Sequence, residues 1–231
     1  MGNANLTERW REVLDRMAQA ALRAGRAPDS VRLVAVSKLH PAEAVRILFE
    51  AGQTIFGENY VQEAQAKMGA LPQSIAWHFI GHLQTNKVKA VVGRFELLHG
   101  VDSLKLARSL QEKAGALNLR QDVLVQVNLA GEAQKGGIPE AELPLLAEFL
   151  AASTHLRWQG LMLMPPFFDD PGRSKPFFAR LRVLAENLRA SFGLPLPELS
   201  MGMTGDFETA IGEGATLVRI GTRIFGERST T

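Results

Sequence analysis

The sequence contains no cysteine, so disulfide bonds, thiolate metal sites and cysteine nucleophiles are all excluded. It also contains no apolar run long enough to span a membrane, and its first fifteen residues are polar and charged. A large excess of one charge is missing as well, because the formal net charge is +2 and lysines and arginines form no block beyond scattered pairs. This distribution gives little support to nucleic-acid binding. We therefore expect a cytoplasmic protein that binds neither a membrane nor a nucleic acid.

Two motifs of nucleotide-binding enzymes are missing too. No glycine-rich dinucleotide fingerprint follows any predicted strand, and the sequence has no phosphate-loop lysine motif. What it does have is 231 residues of ordinary globular composition, 46% hydrophobic and 22% charged, which is enough for one large domain or two small ones. Because no proline- or serine-rich linker separates two halves, residues 1–231 are predicted to form a single domain.

Apolar segments typical of strands alternate along the chain with segments of helical spacing. The first helix is amphipathic and is predicted over about residues 6–24. Eight predicted strands follow, separated by helices: 31–38, 53–56, 76–80, 95–99, 122–128, 158–162, 198–200 and 216–220. This count favours a (β/α)8 barrel, or TIM barrel, of α/β class with an extra N-terminal helix. An open, doubly wound sheet is the competing architecture.

Lys38 ends the first predicted strand, whereas the other seven lysines fall on predicted helices or loops. Side chains alternate along a strand, so Lys38 shares a face with Val36 and Val34. A cavity at the strand end would desolvate the amine and favour its neutral, nucleophilic form. The alternative is a lysine whose stem packs on apolar neighbours while its head stays in water. In a barrel the functional groups come from the carboxyl ends of the strands, which are marked here by Lys38, Asn59, His82, Asn128, Met164, Ser200 and Arg219.

Two turns of small residues follow the seventh and eighth predicted strands, at residues 200–205 and 219–223. Phosphate sites in TIM barrels are usually built from the loops at these two places. A lysine that can form a Schiff base, with a phosphate site beside it, describes a site for pyridoxal phosphate (PLP). Arg219 alternates with Ile220, so we expect its side chain to point into the barrel, near the ring of this cofactor.

The segments that carry a family resemblance are 34–38, 56–63, 78–87, 200–203, 218–222 and 225–226. In this order and combination they resemble the pyridoxal phosphate homeostasis protein family, and the resemblance extends from about residue 33 to residue 228. It implies a single-domain barrel similar to the N-terminal domain of alanine racemase, with Lys38 carrying the cofactor, Asn59 near the ring and Arg219 facing the ring nitrogen. The two turns would contact the phosphate. The cofactor-binding residues implied are Lys38, Asn59, Ser200, Met201, Gly202, Arg219, Gly221 and Thr222. Gly205 departs from the family pattern, because some members carry an acidic or small polar residue there.

An arginine beside the pyridine nitrogen disfavours protonation of the ring, which makes the cofactor a poorer electron sink and aminotransferase chemistry unfavourable. A racemase would need a second acid/base group, which alanine racemase-like enzymes take from a tyrosine of an additional domain. This chain has one tyrosine, Tyr60. We therefore expect a monomeric, non-catalytic carrier that holds PLP on Lys38 and buffers or delivers it, with PLP-dependent apo-enzymes as recipients. The alternatives are an amino-acid racemase and a Schiff-base aldolase that acts on a sugar phosphate.

Several other polar residues have two interpretations each. His78 and His82 are spaced like metal ligands on a helix, but they flank a strand end, so a packing or barrel-mouth role is favoured and no metal is expected. Glu58 and Glu63 could act as acids or bases, or could simply stand at the start of a surface helix. The loop at 165–172 is the longest irregular stretch, and a lid is one possible use of it.

Overall fold

The computed structural model describes residues 3–132 and 136–227. Nine strands lie in these ranges, all of them parallel to their partners: β1 Arg32–Val36, β2 Ile55–Glu58, β3 Ala76–Phe79, β4 Leu97–Val101, β5 Gln121–Asn128, β6 Ile138–Pro139, β7 Leu156–Leu163, β8 Glu198–Ser200 and β9 Leu217–Ile220. Strands β1 to β5 and β7 to β9 pair in sequence, and β9 pairs back with β1. Eight strands therefore close a barrel, and the predicted TIM barrel is confirmed.

Helices surround the barrel in the described part of the chain: α1 Asn3–Arg23, α2 Ala42–Glu50, α3 Val61–Ala70, α4 Val88–Val91, α5 Leu104–Ala116, α6 Leu143–Ala151, α7 Lys175–Phe192, α8 Phe207–Gly212 and α9 Thr222–Phe225. Local sequence sets several of their ends. The Ser103 hydroxyl caps α5 by accepting from the Leu106 amide at 3.3 Å, as the sequence predicts. Gly193 ends α7 in the left-handed conformation, at φ 63°. Within residues 3–132 and 136–227, no helix combines the length and the hydropathy that a membrane crossing requires.

Helix α1 is the predicted extra N-terminal helix. It packs against α2, α8 and α9, with Trp10, Val13 and Met17 buried on its inner face. The Trp10 indole donates to the Gln53 side chain at 2.9 Å, and Gln53 in turn donates to the carbonyls of Leu33 and Ile55 at 2.9 and 2.7 Å. This buried amide therefore ties α1 to the starts of β1 and β2.

The structure differs from the sequence-based prediction in several places, and the first predicted strand, 31–38, ends at Val36. The predicted fourth strand, 95–99, starts too early, because Phe95 lies in the turn after α4, where its amide donates to the Val91 carbonyl at 3.3 Å. Strand β4 itself extends from Leu97 to Val101. The helix predicted over 85–92 is a 3₁₀ turn, Thr85–Lys87, followed by α4. Strand β6, which extends the sheet beside β5 and lies outside the ring, was not predicted.

The apolar core has two layers. The larger one fills the space between barrel and helices and includes Leu33 and Ala35 from β1. The smaller one lies inside the barrel: Val34, Leu97, Leu124, Met162 and Leu217. The predicted alternation along the first strand is thus confirmed, because Val34 faces the inside of the barrel while Leu33 and Ala35 face the helices. The inner layer is small because polar side chains fill the rest of the barrel.

Candidate functional site

A cavity of about 460 Å³ opens at the carboxyl ends of the barrel strands. This size lies in the usual range of small-molecule sites, about 300–1,000 Å³. Its lining comes from β1 and β9 and from the segments that follow β1, β2, β3, β7, β8 and β9: Val36, Lys38, His40, Asn59, Ile80, Met164, Pro165, Pro166, Phe167, Phe168, Met203, Thr204, Gly205, Asp206, Arg219, Gly221 and Thr222. Five of the eight predicted cofactor residues therefore meet in one place, namely Lys38, Asn59, Arg219, Gly221 and Thr222.

Lys38 lies in the turn that follows β1, two residues beyond the last residue of the strand. It is half-buried and lines the cavity together with Val36. The next residue, Leu39, has φ 63°, in the left-handed region, and its side chain is exposed. This backbone conformation costs a residue with a Cβ roughly 1–2 kcal/mol, so the surrounding structure must hold it. Strain of this kind directly after a cavity-lining lysine is typical of a functional turn.

Arg219 points into the barrel, as the alternation along the last strand predicts. Its Nη1 donates to the Ser200 hydroxyl at 2.5 Å and its Nη2 to the Leu163 carbonyl at 2.9 Å. Burial lowers the pKa of Arg219 to about 10, and the Asp206 carboxylate acts in the opposite direction. At neutral pH the guanidinium therefore remains a cation at the floor of the cavity.

A chain of hydrogen bonds continues from Arg219 through the barrel. Ser200 Oγ lies 2.9 Å from His99 Nδ1, and His99 Nε2 lies 3.0 Å from His78 Nδ1. Arginine can only donate, so the Ser200 proton is free to point at His99, and we assign both histidines the Nε2–H tautomer. Burial lowers the pKa of His78 to about 3 and that of His99 well below its usual value. Both rings are therefore neutral, and the chain orients Ser200 to accept from Arg219.

The turn after β8 lines the cavity through residues 203–206, which follow the predicted residues Ser200, Met201 and Gly202. Ser200 and Met201 are fully buried and do not line the cavity. Gly202 does not line it either; it has φ 92°, and a Cβ there would lie 2.6 Å from the Ala210 Cβ. The cavity wall is formed instead by residues 203–206 of the same turn. A phosphate contact by Ser200, Met201 or Gly202 stays a prediction.

The turn after β9 and the end of β2 present small or polar groups to the cavity. Gly221 packs closely on β1, since a Cβ there would lie 3.1 Å from the Val36 carbonyl oxygen. Thr222 starts α9 beside it. Asn59 Oδ1 is buried and has no hydrogen-bond partner among the described residues. A bound polar group would satisfy this oxygen.

Comparison with known proteins identifies the family. A model of the family described as alanine racemase, N-terminal domain, matches residues 11–229. The pyridoxal phosphate homeostasis protein of Aquifex aeolicus (strain VF5) is 44% identical over 225 residues, covering 97% of this chain and 99% of the relative. The protein of the same name from Pseudomonas aeruginosa is 45% identical over 228 residues, covering 97% and 96%. The chain belongs to the pyridoxal phosphate homeostasis protein family.

A solved structure agrees with this assignment. PipY of Synechococcus elongatus PCC7942, with PLP bound, matches with a TM-score of 0.81 and 39% identity, covering 93% of this chain and 100% of that chain. The family resemblance of the sequence and the barrel that it implies are both confirmed.

Some cavity residues of this family member were not predicted as site residues. His40 lies two residues after Lys38, and its ring stacks on Phe225 with centroids 5.0 Å apart. The start of the loop that was considered as a lid, residues 165–168, forms an apolar wall of the cavity, and Phe167 is 88% exposed. The sequence could have indicated both segments, because each directly follows a strand of a barrel, where functional groups lie.

Other residues marked by the sequence lie elsewhere. His82 is exposed and lies 3.3 Å from the Asp102 carboxylate, outside the lining of the cavity. The Asn128 amide donates to the Glu132 carbonyl at 3.0 Å, in the loop after β5. Among the described residues, no group of three or more histidine, aspartate or glutamate side chains could hold a metal ion. Six of the seven other lysines lie on helices, as expected, and Lys135 lies outside the described residues.

The interpretation of Glu58 as a residue at a surface helix start is wrong. Its side chain is fully buried at the end of β2. Burial raises the pKa of Glu58, while the Lys67 ammonium beside it acts to lower the pKa. The sequence pattern missed this residue because its burial depends on how β2 pairs with β1.

Proposed function

We propose that this chain binds PLP at the mouth of the barrel, holds it as a Schiff base on Lys38, and maintains the intracellular PLP supply by buffering the cofactor or delivering it to other proteins. The observation that carries the proposal is that Lys38, Arg219 and the Gly221–Thr222 turn line one cavity of about 460 Å³. PipY, with PLP bound, and the relatives named pyridoxal phosphate homeostasis proteins support it.

The residues present fit this cofactor. The Asn59 oxygen without a partner among the described residues offers an acceptor, and Gly221, which lines the cavity, has no side chain to cover the backbone before Thr222. PLP, when bound, supplies an aldehyde that reacts with amines. In our proposal Lys38 provides the covalent link, Asn59 lies near the ring, and Gly221 and Thr222 hold the phosphate.

Arg219 determines what the bound cofactor can do. Its charge persists at neutral pH, because its pKa stays near 10, and Ser200 and Leu163 hold two of its nitrogens in place. A fixed cation beside the ring nitrogen disfavours protonation of the ring. In this proposal the site therefore holds the cofactor without strengthening it as an electron sink.

The cavity also favours a carrier over a racemase. Tyr60 is 52% exposed and lies outside the cavity lining. The two remaining ionisable groups of that lining have structural contacts, because Asp206 accepts from the Met203 amide at 2.7 Å and His40 stacks on Phe225. A second acid/base group of the tyrosine type is therefore not part of the described lining, and we propose that the protein has no catalytic activity of its own.

Borohydride reduction of the purified protein tests the proposal. We expect a mass increase that matches pyridoxyl phosphate on the peptide containing Lys38. Before reduction, the absorption band of the Schiff base should be present in the wild type and absent from a folded Lys38→Ala variant. The matched control is Lys175→Ala, which removes an exposed lysine 3.6 Å from Glu213 and should leave the band unchanged. Labelling of a different lysine, or a band that survives in Lys38→Ala, contradicts the proposal.

The same preparation distinguishes the two alternatives. Solvent deuterium incorporation at the α-carbon of free alanine or serine would support a racemase. Trapping that occurs only after addition of a sugar phosphate would support an aldolase.

We further propose that residues 1–231 act as one domain, that the protein is a monomer in the cytoplasm, and that PLP-dependent apo-enzymes receive the cofactor. Light scattering should give the mass of one chain, 25.3 kDa. Restoration of activity to an apo-enzyme by the loaded protein, faster than by spontaneous release, would identify a recipient.

A further inference from the structure

Three charged side chains form a group behind Lys38 and outside the cavity, two of them buried and the third, Glu63, 23% exposed. The side chain of Lys67, on α3, is 6% exposed, and that of Glu58, at the end of β2, is 0% exposed. Lys67 Nζ lies 2.6 Å from Glu58 Oε1 and 2.7 Å from Glu63 Oε1. None of the three lines the cavity, so none contacts what the cavity binds.

This group bonds to both peptide planes that flank Lys38. Lys67 Nζ donates at 2.7 Å to the carbonyl oxygen of Ser37, which belongs to the peptide bond before Lys38. The backbone N–H of Leu39, which belongs to the peptide bond after Lys38, donates at 2.6 Å to Glu63 Oε1. Peptide planes are rigid, so φ and ψ of Lys38 are the rotations of these two planes about its Cα. With both planes held, the direction of the Lys38 Cα–Cβ bond is set.

One further contact and the conformation of the next residue strengthen the hold. The Ser37 hydroxyl donates to Glu58 Oε1 at 2.7 Å, so the residue before Lys38 is bonded to the group through its side chain and its carbonyl. Leu39, which follows, adopts its left-handed conformation at the residue whose N–H bonds to Glu63. Hydrogen bonds to charged partners are the stronger class, and burial strengthens further those that Lys67 makes to Ser37 and Glu58.

We propose that Glu58, Glu63 and Lys67 form a clamp that positions Lys38, so that its amine faces the cavity for covalent binding of PLP. The inference rests on the proposed function, because it assigns the clamp the task of orienting the lysine that carries the cofactor. The three are positioning residues, since they act on the backbone around Lys38 and not on the cofactor.

Glu63→Ala is the variant of choice, because it releases the Leu39 amide while the buried Lys67–Glu58 pair remains. We expect the rate at which added PLP forms the Lys38 adduct to fall about tenfold or more, the effect of losing one charge-assisted hydrogen bond. Glu63→Gln keeps an oxygen that can accept from Leu39 and should recover most of the rate. The matched control is Glu43→Ala, which removes another first-turn glutamate, exposed and 3.5 Å from Arg46.

The outcomes separate the clamp from the proposed function. If the wild type forms no adduct at Lys38, the proposed function fails. If the wild type reacts and Glu63→Ala reacts as fast as Glu43→Ala, the clamp is overturned and the proposed function stands. Amide hydrogen exchange of the wild type decides the matter even if Glu63→Ala does not fold. The clamp requires a protected Leu39 amide, and exchange at the rate of an unstructured peptide would overturn it.

Discussion

The two histidines inside the barrel predict a loss of stability in mild acid. Burial lowers the pKa of His78 to about 3 and that of His99 well below its usual value. In the unfolded chain both groups titrate near the ordinary histidine pKa of about 6.5. As the pH falls below about 6.5, the unfolded state takes up two protons that the folded state does not. The free energy of unfolding is therefore unaffected by the titration of these histidines above about pH 6.5. It falls progressively as the pH decreases from there toward their pKa values in the folded state.

The magnitude follows from the size of the interval. At pH 5, about 1.5 units below the unfolded pKa, His78 costs about 2 kcal/mol at about 1.4 kcal/mol per unit, and His99 adds to this loss in the same direction. The neighbouring cations Arg219 and Arg32 act in the same direction as burial. The carboxyl groups of Glu58 and Asp102 act in the opposite direction, because burial raises their pKa values and the folded state protonates first.

Urea unfolding at pH 7.5 and pH 5.0 measures the effect. The double variant His78→Gln/His99→Gln keeps hydrogen-bonding side chains that do not titrate, so its loss of unfolding free energy should be smaller than that of the wild type by about 2 kcal/mol or more. His155→Gln changes a histidine outside the barrel, whose Nδ1 lies 3.2 Å from the Leu119 carbonyl oxygen, and serves as the control. Equal pH dependence in the wild type and the double variant would refute the reasoning.

Two further predictions concern the turn after β8 and the loop after β7. Gly202→Ala should lower the unfolding free energy by about 2–4 kcal/mol, because φ is 92° and the new Cβ would lie 2.6 Å from that of Ala210. Gly205→Ala, whose Cβ would meet nothing within 4 Å, should change it by less than about 0.5 kcal/mol, and equal effects in urea unfolding would contradict this. Phe167→Ala should leave stability within about 0.5 kcal/mol, because the ring is 88% exposed, and should speed PLP release by opening a wall of the cavity. Spectroscopic release rates check the last point, and a rate equal to that of the wild type would contradict it.

Much of the fold follows from local patterns. The apolar run from Val31 to Lys38 predicts the first strand and the face on which Lys38 lies, because alternation is a property of the extended chain itself. Gly193 and Ser103 set helix ends through their own conformation and side chain. Lys38, Asn59, Met164 and Arg219 could be predicted to meet, because a parallel barrel brings its strand ends together.

The rest depends on contacts between distant strands. His78, His99, Ser200 and Arg219 come from β3, β4, β8 and β9, and only barrel closure brings them into one chain of hydrogen bonds. Glu63 and Lys67 are four residues apart on one helix, which a sequence can reveal, but the burial of Glu58 requires the pairing of β1 with β2. The turn after β8 illustrates the limit, since the spacing of a turn does not say which of its residues face the cavity.

A crystal structure of the protein grown with PLP tests the central claim most directly. We expect continuous density from Lys38 Nζ to the cofactor, the phosphate against Gly221 and Thr222, and Arg219 beside the ring nitrogen. Density for PLP at another lysine, or a Lys38 side chain directed into solvent with the cavity empty, would contradict the claim.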